Sequence, residues 1–355
     1  MSRNGRKSKK KNKLVLFLLL VIVIAGGCLA AKIIIDNQSN GDTKSTAGTD
    51  EETLKIEIEK EVPKVKTFAG TDRPIAVMID NHNQAWPQAG LNQAYMVYEI
   101  IVEGGETRLM ALFKGQDVEK IGPVRSARHY FIDYVMENDA IYAHYGWSPQ
   151  AESDVSKFGI NNLNGITEST EVFWRVNDKY APHNAVTSTA SLLTRAQAKG
   201  YRTTSNKKSV LNYTTDEVNL EEGTIANLVT IPHSTLQTVM YEYDDANKVY
   251  KRYARNKEQT DWDTGEPVTT KNIIITFCDN YTLDDGEGKG RQGLYNIGTF
   301  DGYYITNGKA IKIKCSKQDR DSQTVYKDLD GNEIKVNDGN TFVNICPKDA
   351  EVEIE

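Results

Sequence analysis

Apolar residues follow three rhythms along this chain. The first is an unbroken run: residues 14–31 carry no charge and follow seven cations, Arg3, Arg6, Lys7, Lys9, Lys10, Lys11 and Lys13. Counted past Lys32 to Ile35, the run reaches ~33 Å as a helix at 1.5 Å per residue, enough to cross a hydrocarbon core. Lys32 can snorkel to the headgroups. Basic residues stay on the cytoplasmic side, so residues 1–13 are expected there and everything after the 14–35 segment outside. The second rhythm, over residues 68–205, mixes continuous apolar strands with amphipathic helices. The third, over residues 206–355, is a series of short strands punctuated by Asn307-Gly308, Asp330-Gly331 and Asp338-Gly339, dipeptides suited to tight hairpin turns. Residues 36–67 are polar and charged, with Gly41, Gly48 and Pro63. They read as a flexible spacer lifting the body off the membrane.

Within the second rhythm the order of elements is readable. A buried strand over 74–79 ends in Asp80-Asn81-His82. A strand over 95–102 reverses through Glu103-Gly104-Gly105-Glu106 into another over 107–113, because paired glycines permit the positive φ angles of a two-residue turn. That turn sets Ile101 opposite Arg108 and puts Glu99 and Glu103 diagonal to Arg108 on one face. After Gly122-Pro123 the pattern predicts a helix capped by Ser126 and running to about 137. A strand covers 139–145, and a further helix starts at Ser188 or Thr189 and stops at Gly200. Strands over 272–278, 302–306, 310–315, 333–336 and 341–346 follow. The fold class predicted is α+β: a mixed α/β N-terminal domain (68–205) followed by a smaller β-rich domain (206–355), since about 280 folded residues exceed one typical core. The connection between them is expected between Gly200 and Gly223.

Charge narrows the functional classes. Beyond residue 35, 35 Lys and Arg face 49 Asp and Glu, a formal charge of −14. An acidic body does not neutralise phosphate backbones, so nucleic acid is excluded as a partner, and electrostatic attachment to anionic lipid is disfavoured. Cys278, Cys315 and Cys346 each end a predicted strand and have no CxxC spacing. They read as buried thiols and not as a disulfide framework or zinc site. Cys28 follows Ala25-Gly26-Gly27, as in a lipobox, whereas residues 29–35 stay mostly apolar, as in an uncleaved signal anchor. Lipidation of Cys28 and a transmembrane anchor both fit.

Polar residues with chemical potential gather at element ends. Asp80-Asn81-His82 follow one strand, Arg125-Ser126-Ala127-Arg128-His129 open a helix, and His144-Tyr145-Gly146-Trp147-Ser148 follow another strand. Ligands collect beyond carboxyl ends of strands and at helix N-termini, so neighbouring parallel strands would bring all three clusters to one rim. Arg125 and Arg128 there suit an anion. In so acidic a body, both arginines also have carboxylates to pair with, which is a purely structural role. Glu99 and Glu103 lie about 13 Å apart along their strand, too far for a glycosidase pair. Ala181-Pro182-His183-Asn184 form a turn, with Ser188 as a helix cap. There is no GxSxG, HExxH or P-loop, the histidine spacings match no metal site, and the acids of residues 279–291 do not fall at EF-hand positions. No cofactor and no metal are expected.

The segments RPIAVMIDNH (73–82), QAGLNQAYMVYEIIVEGGETRLMALF (88–113), IGPVRSAR (121–128) and APHNAVTS (181–188) resemble the YerB-like lipoprotein family of Gram-positive bacteria. The resemblance runs over roughly residues 68–350, through DGNEIKVNDGNTFVNICP. It implies a two-domain α+β body on a lipid or transmembrane anchor and carries over no catalytic residue. The expectation is a membrane-anchored extracytoplasmic envelope protein that binds a wall component or another envelope protein. The alternative is an enzyme or binder acting on a phosphorylated or anionic wall precursor at the arginine rim.

Overall fold

The computed structural model describes residues 70–355. The segment at 14–35, Cys28 and the spacer at 36–67 lie outside the described residues. Among those residues, no helix is long and apolar enough to cross a membrane.

The described chain is strand-rich mixed α+β. Its elements include β1 (Ile75–Asp80), β2 (Met96–Ile101), β3 (Thr107–Phe113), α1 (His129–Glu137), β4 (Ile141–His144), α2 (Pro149–Lys157), β5 (Asn162–Asn164) and α3 (Thr189–Ala198). Strands alone follow, chiefly β6 (Leu228–Pro232), β7 (Thr238–Asp244), β8 (Val249–Ala254), β9 (Asn272–Phe277), β10 (Gly298–Thr306), β11 (Lys309–Lys317), β12 (Val325–Lys327) and β13 (Thr341–Cys346). Every residue of β1, β2 and β3 is buried. Strands covered on both faces need apolar residues at nearly every position, which is why these segments read as continuous runs.

Eleven strands form one mixed sheet, ordered β12-β11-β10-β9-β13-β2-β3-β1-β4-β5, with Thr224–Ile225 on β11. β13, near the C-terminus, lies between β2 and β9 and runs parallel to both. The two sequence regions are therefore distinct along the chain but hydrogen-bonded into one sheet. A six-stranded sheet built around β6, β7 and β8 covers one face of it.

Alternation assigns the two faces. Val77, Ile79, Val97, Leu109 and Ala111 point to the second sheet and α3, meeting Val229, Ile231, Val239, Tyr241 and Leu192. Met78, Tyr98, Ile100, Met110 and Leu112 point to α1 and α2, meeting Phe131, Val135, Ala151 and Val155.

Two local expectations need correction. The reversal after β2 is a three-residue 3-10 turn, Glu103–Gly105, with Gly104 and Gly105 at φ +70° and +76°. Val102 N then donates to Glu106 O, and Ile100, not Ile101, faces Arg108. A one-residue slip exchanges faces, so Glu99 and Arg108 point to opposite sides of the sheet. The helix expected from Ser126 begins only at His129, with Arg128 as an N-cap that makes no side-chain capping bond. Residues 124–127 cannot be helical because their N–H groups are committed to ladder-like bonds, among them Arg125 N to Met78 O and Ala127 N to Gly146 O, both 2.9 Å. A helix that the sequence reading did not place, α2, starts where Ser148 Oγ accepts from Ala151 N and Pro149 takes the first turn, where its missing N–H costs nothing. The helix starting at Thr189 is capped by Ser188 as expected, Ser188 Oγ accepting from Ser191 N at 3.1 Å.

Candidate functional site

β1 and β4 are adjacent and parallel, with Val77 beside Ala143. Asp80-Asn81-His82 and His144 consequently leave the sheet at the same edge. Residues 121–127 lie extended in the notch between the two strand ends. Asp80 N donates to Pro123 O at 2.8 Å, and Tyr145 N to Arg125 O at 2.9 Å. This insertion brings Arg125 beside Asp80. Arg108, directly across from Asp80 in the β1–β3 register, reaches the same place from below.

Asp80 organises the cluster. Its Oδ2 accepts from His183 Nδ1 at 2.7 Å and lies 3.1 Å from Arg125 Nε, and its Oδ1 accepts from His82 N at 3.1 Å. The His82 ring stacks on that of His183 at 4.7 Å between centroids, 14° from parallel. Arg128 makes a two-point bond with Glu103, Nε to Oε1 at 2.6 Å and Nη2 to Oε2 at 2.9 Å. Burial alone would raise Glu103, but the bonds and charge of Arg128, with Arg108 nearby, hold it below its ordinary value.

Arg108 is the exception in this cluster. The residue is 6% exposed, donates from Nη1 to Ser126 O at 2.6 Å and forms no ion pair among the described residues. Burial and the like charges of Arg128 and Arg125 pull it down to about 10, against the opposing pull of Asp80 and Glu103. It therefore stays protonated at neutral pH. Three guanidiniums thus share two carboxylates, and the rim is left with surplus positive charge beside partly exposed side chains. Arg255, from the turn after β8, pairs with Glu106 and donates to Asn81 O, which closes one side.

The remaining candidate residues are held in structural posts. His144 is fully buried between Gly146 O (2.8 Å) and Asn162 Oδ1 (3.2 Å), and burial pushes it down to about 4, so it is neutral. Ser126 Oγ donates to Tyr145 O at 3.0 Å instead of capping a helix. Asn184 bonds Val176 O and Lys179 O and accepts from Arg175 Nη1 at 2.6 Å, closing its turn. Asn81 donates to Thr107 Oγ1 and Glu99 Oε1 while accepting from Trp86 Nε1 and Gln88 Nε2. Glu99 has left the rim altogether and pairs with Arg252 of β8 at 2.5 Å, both side chains fully buried.

Arg252 and Arg255 escaped the sequence reading. A signal was present: in β8, Tyr250, Arg252 and Ala254 occupy the buried phase of an alternating strand. A cation there demands a buried acid. Nothing in the sequence says which acid.

The larger cavities lie elsewhere. One of about 450 Å³ is lined by Arg73, Phe113, Lys114, Thr189 and Leu193, at the far ends of β1 and β3. Another of about 610 Å³ runs along α3 beside Glu168 and Arg195. Neither includes a rim residue.

The fold and this notch define a strand-rich α+β protein with an arginine-lined rim at the carboxyl ends of two parallel strands. Residues 62–202 match the N-terminal domain, and residues 229–343 the C-terminal domain, of the protein family of unknown function DUF3048. The chain belongs to this family. It is 31% identical over 283 residues to YerB of Bacillus subtilis (strain 168), a protein named as a lipoprotein. That match covers 78% of this chain and 81% of YerB. The crystal structure of Bacillus subtilis YerB superposes with a TM-score of 0.71, covering 82% of this chain and 97% of that one.

Proposed function

We propose that this is an anchored extracytoplasmic envelope protein that binds an anionic group of a wall component or of another envelope protein at the Arg108–Arg125–Arg128 rim. Arg108 carries the reading: a nearly buried arginine with no ion pair among the described residues is a standing receptor for phosphate or carboxylate, since charged groups out of water call for a charged partner. The basic N-terminus, the apolar run and the name of YerB support the anchor. Detection of a diacylglyceryl group on Cys28 in the mature protein would select lipidation over an uncleaved anchor.

The binding test is titration calorimetry of pyrophosphate into the full-length protein and into Arg108→Gln. A charge-assisted bond to a buried arginine contributes about 1.5–3 kcal/mol, so affinity should fall roughly 10- to 100-fold. Wild-type binding should weaken with added salt. Equal affinity in the two proteins, or no binding by either, would refute the site. If Arg125→Ala with Arg128→Ala lowers the melting temperature and leaves pyrophosphate binding intact, those two arginines are struts and the receptor is Arg108 alone.

A further inference from the structure

Resting on the anion-binding reading, we propose that the rim is also catalytic, with His183 as the base and His82 as a hydrogen-bond donor in attack on a phosphodiester. Three observations carry this. First, the carboxylate of Asp80 can only accept, so the proton of His183 sits on Nδ1 at the 2.7 Å contact, leaving a bare lone pair on Nε2. Second, His82 Nδ1 accepts from Gln84 N at 3.2 Å, so the proton of His82 sits on Nε2. The two stacked rings thus present opposite tautomers, one acceptor and one donor, and neither Nε2 has a hydrogen-bond partner among the described residues. Third, Asp80 Oδ2 is shared by His183 and Arg125, which holds the base beside the guanidiniums that would receive the phosphate. An imidazole locked by a carboxylate next to anion donors is the arrangement that proton transfer needs.

The step balances without a further reactant. An oxygen of water, or of an acceptor hydroxyl, forms a bond to phosphorus as its proton passes to His183 Nε2. The bond from phosphorus to the leaving oxygen breaks, and its electron pair stays on that oxygen, which takes the proton back from His183. His82 Nε2–H donates to a phosphoryl oxygen, and the arginines neutralise the charge gathering on the others. Asp80 is a positioning residue, holding the tautomer and the ring.

The test uses the full-length protein in detergent, bis(4-nitrophenyl) phosphate for turnover and pyrophosphate for binding. Wild type should release 4-nitrophenolate, and His183→Gln should lower kcat at least 100-fold while KM and pyrophosphate affinity stay within threefold. Binding without turnover in wild type, or full turnover in His183→Gln, overturns the catalytic role and leaves the anion site standing. Failure to bind pyrophosphate removes both. If His183→Gln does not fold, nitrogen NMR of the wild-type imidazoles decides: His183 protonated on Nε2 instead of Nδ1 overturns the assignment.

Discussion

Two glutamate–arginine pairs start four residues apart, Glu99 on β2 and Glu103 in the turn that follows it, and end in opposite surroundings. Glu99 and Arg252 are fully buried between the two sheets, and Glu99 also accepts from Thr107 Oγ1 at 2.7 Å and Asn81 Nδ2 at 3.2 Å. The Arg252 guanidinium lies 5.5 Å from the Phe342 ring centroid and reaches Gln259 with Nη1. Burial works against both charges. The mutual attraction wins, so Glu99 is held low and Arg252 high. Glu103 and Arg128, at the rim, keep side-chain exposures of 21% and 13%. Water can compete there, and so can an incoming anion. The interior pair is a strut whose partners cannot be exchanged, whereas the rim pair stays open to solvent. Residue type does not separate these roles; solvent access does.

The largest expected effect comes from breaking the interior pair. Arg252→Met strands a buried carboxylate and should cost about 3–5 kcal/mol in urea denaturation, whereas adding Glu99→Leu should recover much of that loss. A neutral Arg252→Met would mean the interior is wetter than its burial implies, and the contrast with the rim would collapse.

His144 gives a second, pH-dependent measure. Its folded value of about 4 lies below the ordinary 6.5 because of burial. Below pH 6.5 the unfolded chain binds a proton that the folded one refuses. This contribution is therefore complete above pH 6.5 and declines as pH falls towards 4, by about 3 kcal/mol. His129 and His233, also held down by burial, act in the same direction and remain when His144 is replaced. The wild-type loss between pH 7 and 4.5 should thus be steeper than that of His144→Asn. Equal slopes would show that the imidazole is hydrated and belongs with the rim.

The smallest effect on folding is expected at the rim itself. Glu103→Gln should shift stability by about 1 kcal/mol or less, as partly exposed pairs do, yet raise pyrophosphate affinity by freeing Arg128. A large destabilisation with no gain in binding would make Glu103–Arg128 a second strut.

Much of this was legible along the chain. The run at residues 107–113 is β3, the run at 341–346 is β13, and Ser188 caps its helix. The three polar clusters fall at element ends, and all three meet where residues 121–127 lie between the ends of β1 and β4. Less legible were features where local rules tie. Gly104-Gly105 suits a two- or a three-residue reversal, and in the three-residue form adopted Ser234 Oγ donates to Gly105 O at 2.5 Å. Ser126 is a good helix cap, but residues 124–127 make ladder bonds to the neighbouring strand ends instead.

The sequence by itself determined the strand-rich α+β character, the positions of eight strands of the large sheet, the buried cysteines and the acidic body, but none of the strands of the second sheet, because each of the features it did reach depends on residues within a few positions of one another or on composition. Only the tertiary structure decided that β13 would pass between β2 and β9, that Arg108 would have no ion pair among the described residues, and that Glu99 would find Arg252, 153 residues away. A backbone ladder accepts many strands equally well, and a carboxylate accepts any guanidinium. The choice among them is made by which faces can be buried together, a property of the whole sheet and of no local segment.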